Sequence, residues 1–243
     1  MRKVLDKGYV HLEDKMGEDL SPVNDARVSY DKKRNEWSDK EKGLLNFLGK
    51  HDHTSPFRGS IVKLEMYAPL MIARQAFKYM VGSDHAEAPT RNMDTFTQWN
   101  ETSRRYISDA VEFYLPQQDE WRSKPENSKQ GSGEPFDEAS GAFLQEKLED
   151  YQELGLELYE RSIEKGVAPE LARLFLPAYG LYIRWRWTMS LQTVAHVLNQ
   201  RLPKDSQKEF QDFAKAIYHE VKPQFPVALD ALLSDEAKAR VSE

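Results

Sequence analysis

Two stretches of strict alternation set the frame for this chain. Ile61 to Tyr67 places Val62, Leu64 and Met66 on one side and Lys63, Glu65 and Tyr67 on the other. Tyr182 to Met189 repeats the pattern, with Ile183, Trp185, Trp187 and Met189 opposite Tyr182, Arg184, Arg186 and Thr188. A side-chain period of two describes a strand with one face on a core and the other toward water. Each run feeds directly into a helix signal. Pro69 suits the first turn of a helix reaching about Met80, where a missing amide hydrogen costs nothing. Ser190 suits the cap of a helix whose apolar stripe is Leu191, Val194, Ala195 and Leu198.

The remaining elements follow from the same cues. Tyr9–Leu12 is predicted as a strand, and Asp25–Tyr30 as a helix end or a short strand. Ser38-Asp39-Lys40-Glu41 fits a capping box before a helix carrying Leu44, Leu45 and Leu48. Ser206-Gln207-Lys208-Glu209 fits another, ahead of Phe210, Phe213, Ala214, Ile217 and Val221. Phe143, Leu144, Leu148, Tyr151, Leu154 and Leu158 recur at helical spacing. Pro169 opens a helix that ends by Pro177. Together these predict an α+β fold, with an antiparallel or mixed sheet flanked by helices. The 243 residues suit a single domain spanning 1–243. It would carry a polar insertion at about 81–96 and a flexible excursion at about 117–140 around Gln130-Gly131-Ser132-Gly133.

Composition narrows the chemistry. There is no cysteine, which removes disulfides, thiolate nucleophiles and Cys-ligated metals. The net charge of -6, from 34 basic and 40 acidic residues, argues against nucleic acid as the main partner. No apolar run is long enough for a membrane span. The start of the chain lacks the apolar stretch of a signal peptide, so a cytoplasmic location is expected. No Gly-x-Gly-x-x-Gly, Walker loop or nucleophile elbow is present.

Several polar groups could carry chemistry. In Asn100-Glu101-Thr102-Ser103-Arg104-Arg105-Tyr106, an extended backbone would point Glu101, Ser103 and Arg105 to one side. That set is either a solvated strand face or an anion receptor, since a guanidinium fork donates two parallel hydrogen bonds to phosphate. Arg173 and Arg201 lie near helix ends, where they either complement the helix dipole or converge on a nucleotide. On a helix, Gln75 and Lys78 cluster with Arg74. His51 and His53 lack a third metal ligand, so no metal is expected and ring stacking is the better reading. His196, on the polar flank of its helix, is either simply exposed or a ligand-facing group.

In order along about three quarters of the chain, these blocks resemble the flavin-dependent thymidylate synthases. The resemblance rests on Val4–Val10, Met16–Ser21, Ala26–Tyr30, His53-Thr54-Ser55-Pro56-Phe57, Ala73–Phe77, Asn100–Tyr106, Ala172-Arg173 and Leu198-Asn199-Gln200-Arg201. It implies that Gln75, Lys78, Glu101, Ser103, Arg105 and Arg173 hold the phosphate and sugar of deoxyuridylate (dUMP). Arg201 would contact the pyrimidine and favour its N3-ionised form, which makes it the nearest thing to a catalytic residue. Ser29, His53, Ser55, Lys78, Asn100, Glu101, Ser190, Gln192 and His196 match the flavin side. Implied with them are FAD as cofactor, methylenetetrahydrofolate and NADPH as co-substrates, and a homotetramer with sites shared between subunits. The absent cysteine fits this chemistry, because a reduced flavin replaces the thiolate that otherwise activates the uracil ring.

The chain departs from that family's pattern at two places. Where Arg-His-Arg is usual, it reads Lys78-Tyr79-Met80. Ser190, Gln192 and His196 stand where Asn, Arg and Asn are usual. Two other activities therefore accompany thymidylate formation as expectations. One is a divergent homologue making another 5-substituted pyrimidine deoxynucleotide, such as the 5-hydroxymethyl product. The other is a catalytically silent nucleotide-binding homologue.

Overall fold

Five strands, β1 (Arg2–Val4), β2 (Gly8–Met16), β3 (Ile61–Pro69), β4 (Gln98–Glu101) and β5 (Tyr182–Ser190), form one antiparallel sheet in the order β1-β2-β3-β5-β4. The computed structural model describes residues 1–81, 97–103, 110–126 and 130–242. The two alternating runs are neighbours at the centre: Val62 lies opposite Met189, Leu64 opposite Trp187 and Met66 opposite Trp185. All six are fully buried or nearly so. They build one core face by the cross-strand pairing that stabilises a sheet. The opposite face carries charge, with Arg186 bridging Glu13 at 2.7 Å and Glu65 at 3.3 Å.

The core face is covered by helices. The chain passes from β3 into α3 (Leu70–Ala76) and from β5 into α6 (Leu191–Arg201), as the Pro69 and Ser190 signals predict. Ser190 caps α6 by accepting from the Thr193 amide at 3.1 Å. Helix α7 (Lys208–Val221) buries Phe210, Phe213, Ala214, Ile217 and Val221, the full predicted stripe, and packs on β1 and β2. On the other flank, α1 (Leu20–Arg27), α2 (Asp39–Lys50) and α8 (Ala228–Leu232) complete the shell. Ser38 caps α2 by accepting from the Lys40 amide at 3.3 Å, and its hydroxyl donates to Glu41, so the helix starts at the expected cap without the reciprocal bonds of a box. The α+β reading holds.

Three details differ from expectation. The second capping box does not form. Gln207 occupies the cap position of α7, the Ser206 hydroxyl is buried without a described partner, and Glu209 turns to Arg122 instead. Tyr182, assigned to the polar side of β5, is 2% exposed. The turn after β1 covers that end of the sheet, and the Tyr182 hydroxyl donates to Asp6 at 2.5 Å.

The third difference concerns α4 (Glu138–Glu164), whose stripe is divided: Leu144 and Leu148 are half-buried, while the rest faces outward. Phe143, Tyr151 and Leu154 are 58, 56 and 53% exposed. The helix docks through a side where Gly141, Gln152 and Gly155 are buried and where Leu156 and Tyr159 pack against the cluster of Phe113, Leu176 and Leu181. Gln152 donates to the Tyr114 carbonyl at 2.9 Å. A Cβ at Gly141 would lie 2.0 Å from the Gln118 carbonyl oxygen, so only glycine permits this approach. Periodicity reports that a helix has an apolar face; it does not say which surface that face meets. Beyond α4 lie α5 (Pro169–Ala172) and a tight helical turn, Arg173–Phe175, on which Leu171, Leu174 and Phe175 are also exposed.

The 117–140 excursion makes defined contacts over its described residues. Arg122 bridges to Pro135, and the Arg122 guanidinium pairs with Glu209 of α7. The polar insertion falls, from residue 82 to 96, outside the described residues. Among the described residues, no helix is long and apolar enough to cross a membrane.

Candidate active site

Three residues singled out in the sequence meet in one cleft. Gln75 lies on α3, Lys78 on the tight turn that follows it, and Arg201 ends α6. With Gln200, Asp205 and Gln207 they line a cavity of about 690 Å³. The 117–140 stretch contributes a wall. Gly131, at φ +76°, packs so tightly on the Asp205 backbone that an added Cβ would meet its carbonyl oxygen at 3.0 Å.

Tyr79 holds the arginine in place. It is 5% exposed, and its hydroxyl accepts from Arg201 Nε at 2.8 Å while donating to Gln200 Oε1 at 3.2 Å. The guanidinium carbon lies 5.5 Å from the Tyr79 ring centre and 5.2 Å from that of Phe210. Aromatic faces attract such a cation and restrict its plane. Burial pushes the Tyr79 phenol up, and the adjacent Arg201 charge offsets part of that shift. Among the described residues no carboxylate pairs with Arg201, so its terminal amino groups are left to an incoming anion. A fork in this condition suits phosphate or an ionised imide.

A second group of predicted residues gathers at the start of α6. His53 and Ser55 are exposed on the loop after α2, with the His53 ring stacked on Phe47 at 6.2 Å. Gln192, 5% exposed, accepts from Arg58 Nε at 2.8 Å and donates to Thr54 Oγ1 at 2.9 Å. It thus locks that loop onto α6. Ser190 is buried and engaged in capping. His196 meets the Tyr79 ring edge to face at 5.5 Å, linking this region to the cleft. Ser29 lies on the exposed turn Val28–Tyr30. Neighbouring Arg27 is pinned at 3.1 Å to Glu41, whose carboxyl the Ser38 hydroxyl bond above all holds below its usual range.

Other predicted residues sit apart. Asn100 and Glu101 are exposed on β4, the sheet edge beside β5, where Glu101 accepts from Trp99 Nε1 at 3.0 Å. Ser103 follows, half-buried. Arg105 lies outside the described residues. Arg173 is exposed next to the apolar side of α4 and α5, its Nε donating to the Glu170 carbonyl at 3.2 Å, and is not among the cleft-lining residues. Sequence reasoning missed Tyr79, Gln200, Gln207 and the Arg122–Glu209 pair. Tyr79 was signalled only by its position, four residues after Gln75; the pair spans 87 residues and left no local trace.

Comparison with known proteins finds relatives along nearly the whole chain. The family described as thymidylate synthase complementing protein matches residues 11–227. A flavin-dependent thymidylate synthase of Thermus thermophilus is 35% identical over 226 residues, covering 93% of this chain and 75% of that protein. Its counterpart in Thermosipho africanus is 32% identical over 231 residues, covering 95% and 93%; that of Wolbachia pipientis is 33% identical, covering 95% and 75%. In fold, the chain matches the crystal structure of the UMP/dUMP methylase PolB from Streptomyces cacaoi bound with 5-Br UMP. That match has a TM-score of 0.78, with 22% identity and 99% of each chain covered. A cleft that unites Gln75, Lys78 and Arg201, on a chain with these relatives over nearly its whole length, places the protein in the flavin-dependent thymidylate synthase family of enzymes.

Proposed function

We propose that this protein methylates dUMP at C5 to give dTMP, with methylenetetrahydrofolate as carbon donor, NADPH as reductant and FAD as cofactor. The observation that carries this reading is the Arg201 guanidinium, held by Tyr79 and flanked by Gln75 and Lys78 in one cavity. Arg201 stays charged under any realistic burial, so it stabilises negative charge developing on the uracil imide without itself titrating. Lys78 supplies a second cation, and Gln75 a neutral polar group. Arg173, Glu101, Ser103 and Arg105 complete the nucleotide grip.

The flavin side fits the exposed groups of the 53–55 loop. His53 offers a ring face and Ser55 a hydroxyl, on a loop braced by Gln192. Ser29, Asn100 and His196 are the further contacts on this side. Ser190 and Gln192 act through capping and bracing, since their polar atoms already have partners. FAD, once reduced, would supply the hydride that converts the transferred methylene to a methyl group, so the residues of this chain need no cysteine nucleophile.

The exposed apolar side of α4 and α5 supports assembly into a homotetramer, because apolar surface of that extent on one face marks an interaction site. The exposed position of Arg173 on that side supports sites completed across subunits. Incubating the protein with dUMP, methylenetetrahydrofolate, NADPH and FAD, then weighing the nucleotide product, tests the reaction; dTMP is expected. The altered flavin side, with Ser190, Gln192 and His196 where Asn, Arg and Asn are usual, favours a second reading, formation of 5-hydroxymethyl-dUMP, which the same mass measurement distinguishes. A protein that binds dUMP, takes up no FAD and yields no product would be the silent homologue.

A further inference from the structure

A line of side-chain hydrogen bonds runs from the 117–140 stretch into the cleft, and chemistry fixes its direction. Arg122 only donates, and its guanidinium grips the carboxylate of Glu209. Burial pushes the Glu209 carboxyl up, but hydrogen bonds from Arg122, its own amide and Gln207 outweigh this and hold it below the usual range. An ionised carboxylate only accepts. Gln207 therefore turns its amide nitrogen to Glu209 Oε2, at 2.9 Å. Its Oε1 is left to accept from Gln75 Nε2. The same Gln75 nitrogen reaches the Met71 carbonyl at 3.4 Å, a second group that only accepts. Rotating the Gln75 amide would set its oxygen against two acceptors at once. Among the described residues none donates to Gln75 Oε1, and the side chain lines the cleft.

We propose that Glu209, anchored by Arg122, is a positioning residue that holds Gln75 with its carbonyl oxygen toward the cleft, so that this position reads the 3′-hydroxyl of the nucleotide sugar and not its phosphate. The proposal rests on the reading that the cleft takes dUMP. A phosphate only accepts, and an amide oxygen facing it would be repelled. Lys78 and Arg201 only donate, which suits them to the phosphate and the base carbonyls. Of the nucleotide's two donors, the imide N3–H belongs to the base beside Arg201, which favours its ionised form, so the 3′-hydroxyl is the donor that remains for Gln75. The 117–140 stretch thereby acquires a role in sugar recognition although its Arg122 lies one salt bridge and two amides from the substrate.

The test compares dUMP with its 3′-deoxy analogue, 2′,3′-dideoxyuridine 5′-monophosphate, by titration calorimetry on the full chain with FAD present. The unaltered protein should bind dUMP about five- to tenfold more tightly than the analogue, the usual effect of one such hydrogen bond. In Glu209→Gln that preference should shrink to about twofold or less, with affinity for the analogue itself little changed, and in Gln207→Leu the preference should shrink likewise. Gln207→Leu stands as the second variant because Glu209→Gln leaves Arg122 without its counter-charge. Equal binding of the two nucleotides by the unaltered protein, or a preference retained in the variants, would overturn the proposal. An unaltered protein that binds neither nucleotide would instead remove the nucleotide reading itself, and this inference with it.

Discussion

Tyr79 and Arg201, 122 residues apart in the chain, are joined by a hydrogen bond in which the guanidinium Nε donates to the phenol oxygen at 2.8 Å. At the place where the family pattern has an imidazole, this chain has a longer ring whose hydroxyl sits within reach of α6. The phenol fixes one edge of the guanidinium, and ring faces at 5.5 and 5.2 Å restrict its plane. Tyr79→Phe keeps the ring and removes the hydroxyl. Its turnover should fall by about tenfold with the dUMP KM changed less, while the melting temperature moves little, as expected for loss of one net hydrogen bond. Steady-state kinetics and a thermal melt check both halves.

Arg201 itself should respond differently to two replacements. Arg201→Ala removes the cation, and turnover should drop by roughly a hundredfold or more. Arg201→Lys keeps the charge but loses both the fork and the contact to Tyr79, so it should recover only a minor part of the rate. The dissociation constant for dUMP should change by less than tenfold in either case, because Arg201 acts on the base and the phosphate keeps its own cations. Single-turnover rates with separately measured binding decide this.

The outward stripe of α4 predicts assembly. Tyr151, Leu154 and Leu158 share a helical face, and all are exposed on the single chain. Leu154→Asp should reduce the native assembly to a smaller species while leaving the far-UV circular dichroism intact, since the sheet core does not use this residue. Light scattering coupled to size-exclusion chromatography reads the mass. An unaltered protein running as a monomer would count against the assembly.

Gly141 offers a test of how α4 docks. Glycine to alanine in a helix interior ordinarily stabilises by about 1 kcal/mol. Here the added methyl would meet the Gln118 carbonyl oxygen at 2.0 Å, so Gly141→Ala should destabilise instead, by about 1–3 kcal/mol. Urea denaturation measures the sign directly.

Glu209 should contribute to acid sensitivity. Its folded-state carboxyl is held below the ordinary value of 4.5. The stability it confers is complete above that value and is lost as pH falls through the depressed one. Melting temperatures taken between about pH 5 and pH 3 should fall less steeply in Glu209→Gln than in the unaltered protein. A parallel slope would show that the pair with Arg122 carries no linkage.

Local order was legible along the chain wherever one residue's neighbours decide its state. The alternation at Ile61–Tyr67 and Tyr182–Met189, the Ser190 cap and the stripe of α7 all correspond to observed elements. Gln75, Lys78 and Arg201 were selected by the family resemblance, and they share a cleft. The Ser206 capping box misled, because Glu209 had a stronger partner in Arg122 that no nearby residue announces.

Sequence alone settled the backbone periods and the residue types available for chemistry, since both depend on covalent neighbours and on side-chain hydrophobicity. Tertiary structure alone decided which side of α4 faces its own chain, that Tyr79 supports Arg201, and which way the Gln75 amide points. Those outcomes depend on groups brought together from distant parts of the chain. Hydrogen bonds of that kind form only once the fold has placed donor opposite acceptor, and a local pattern carries no record of them.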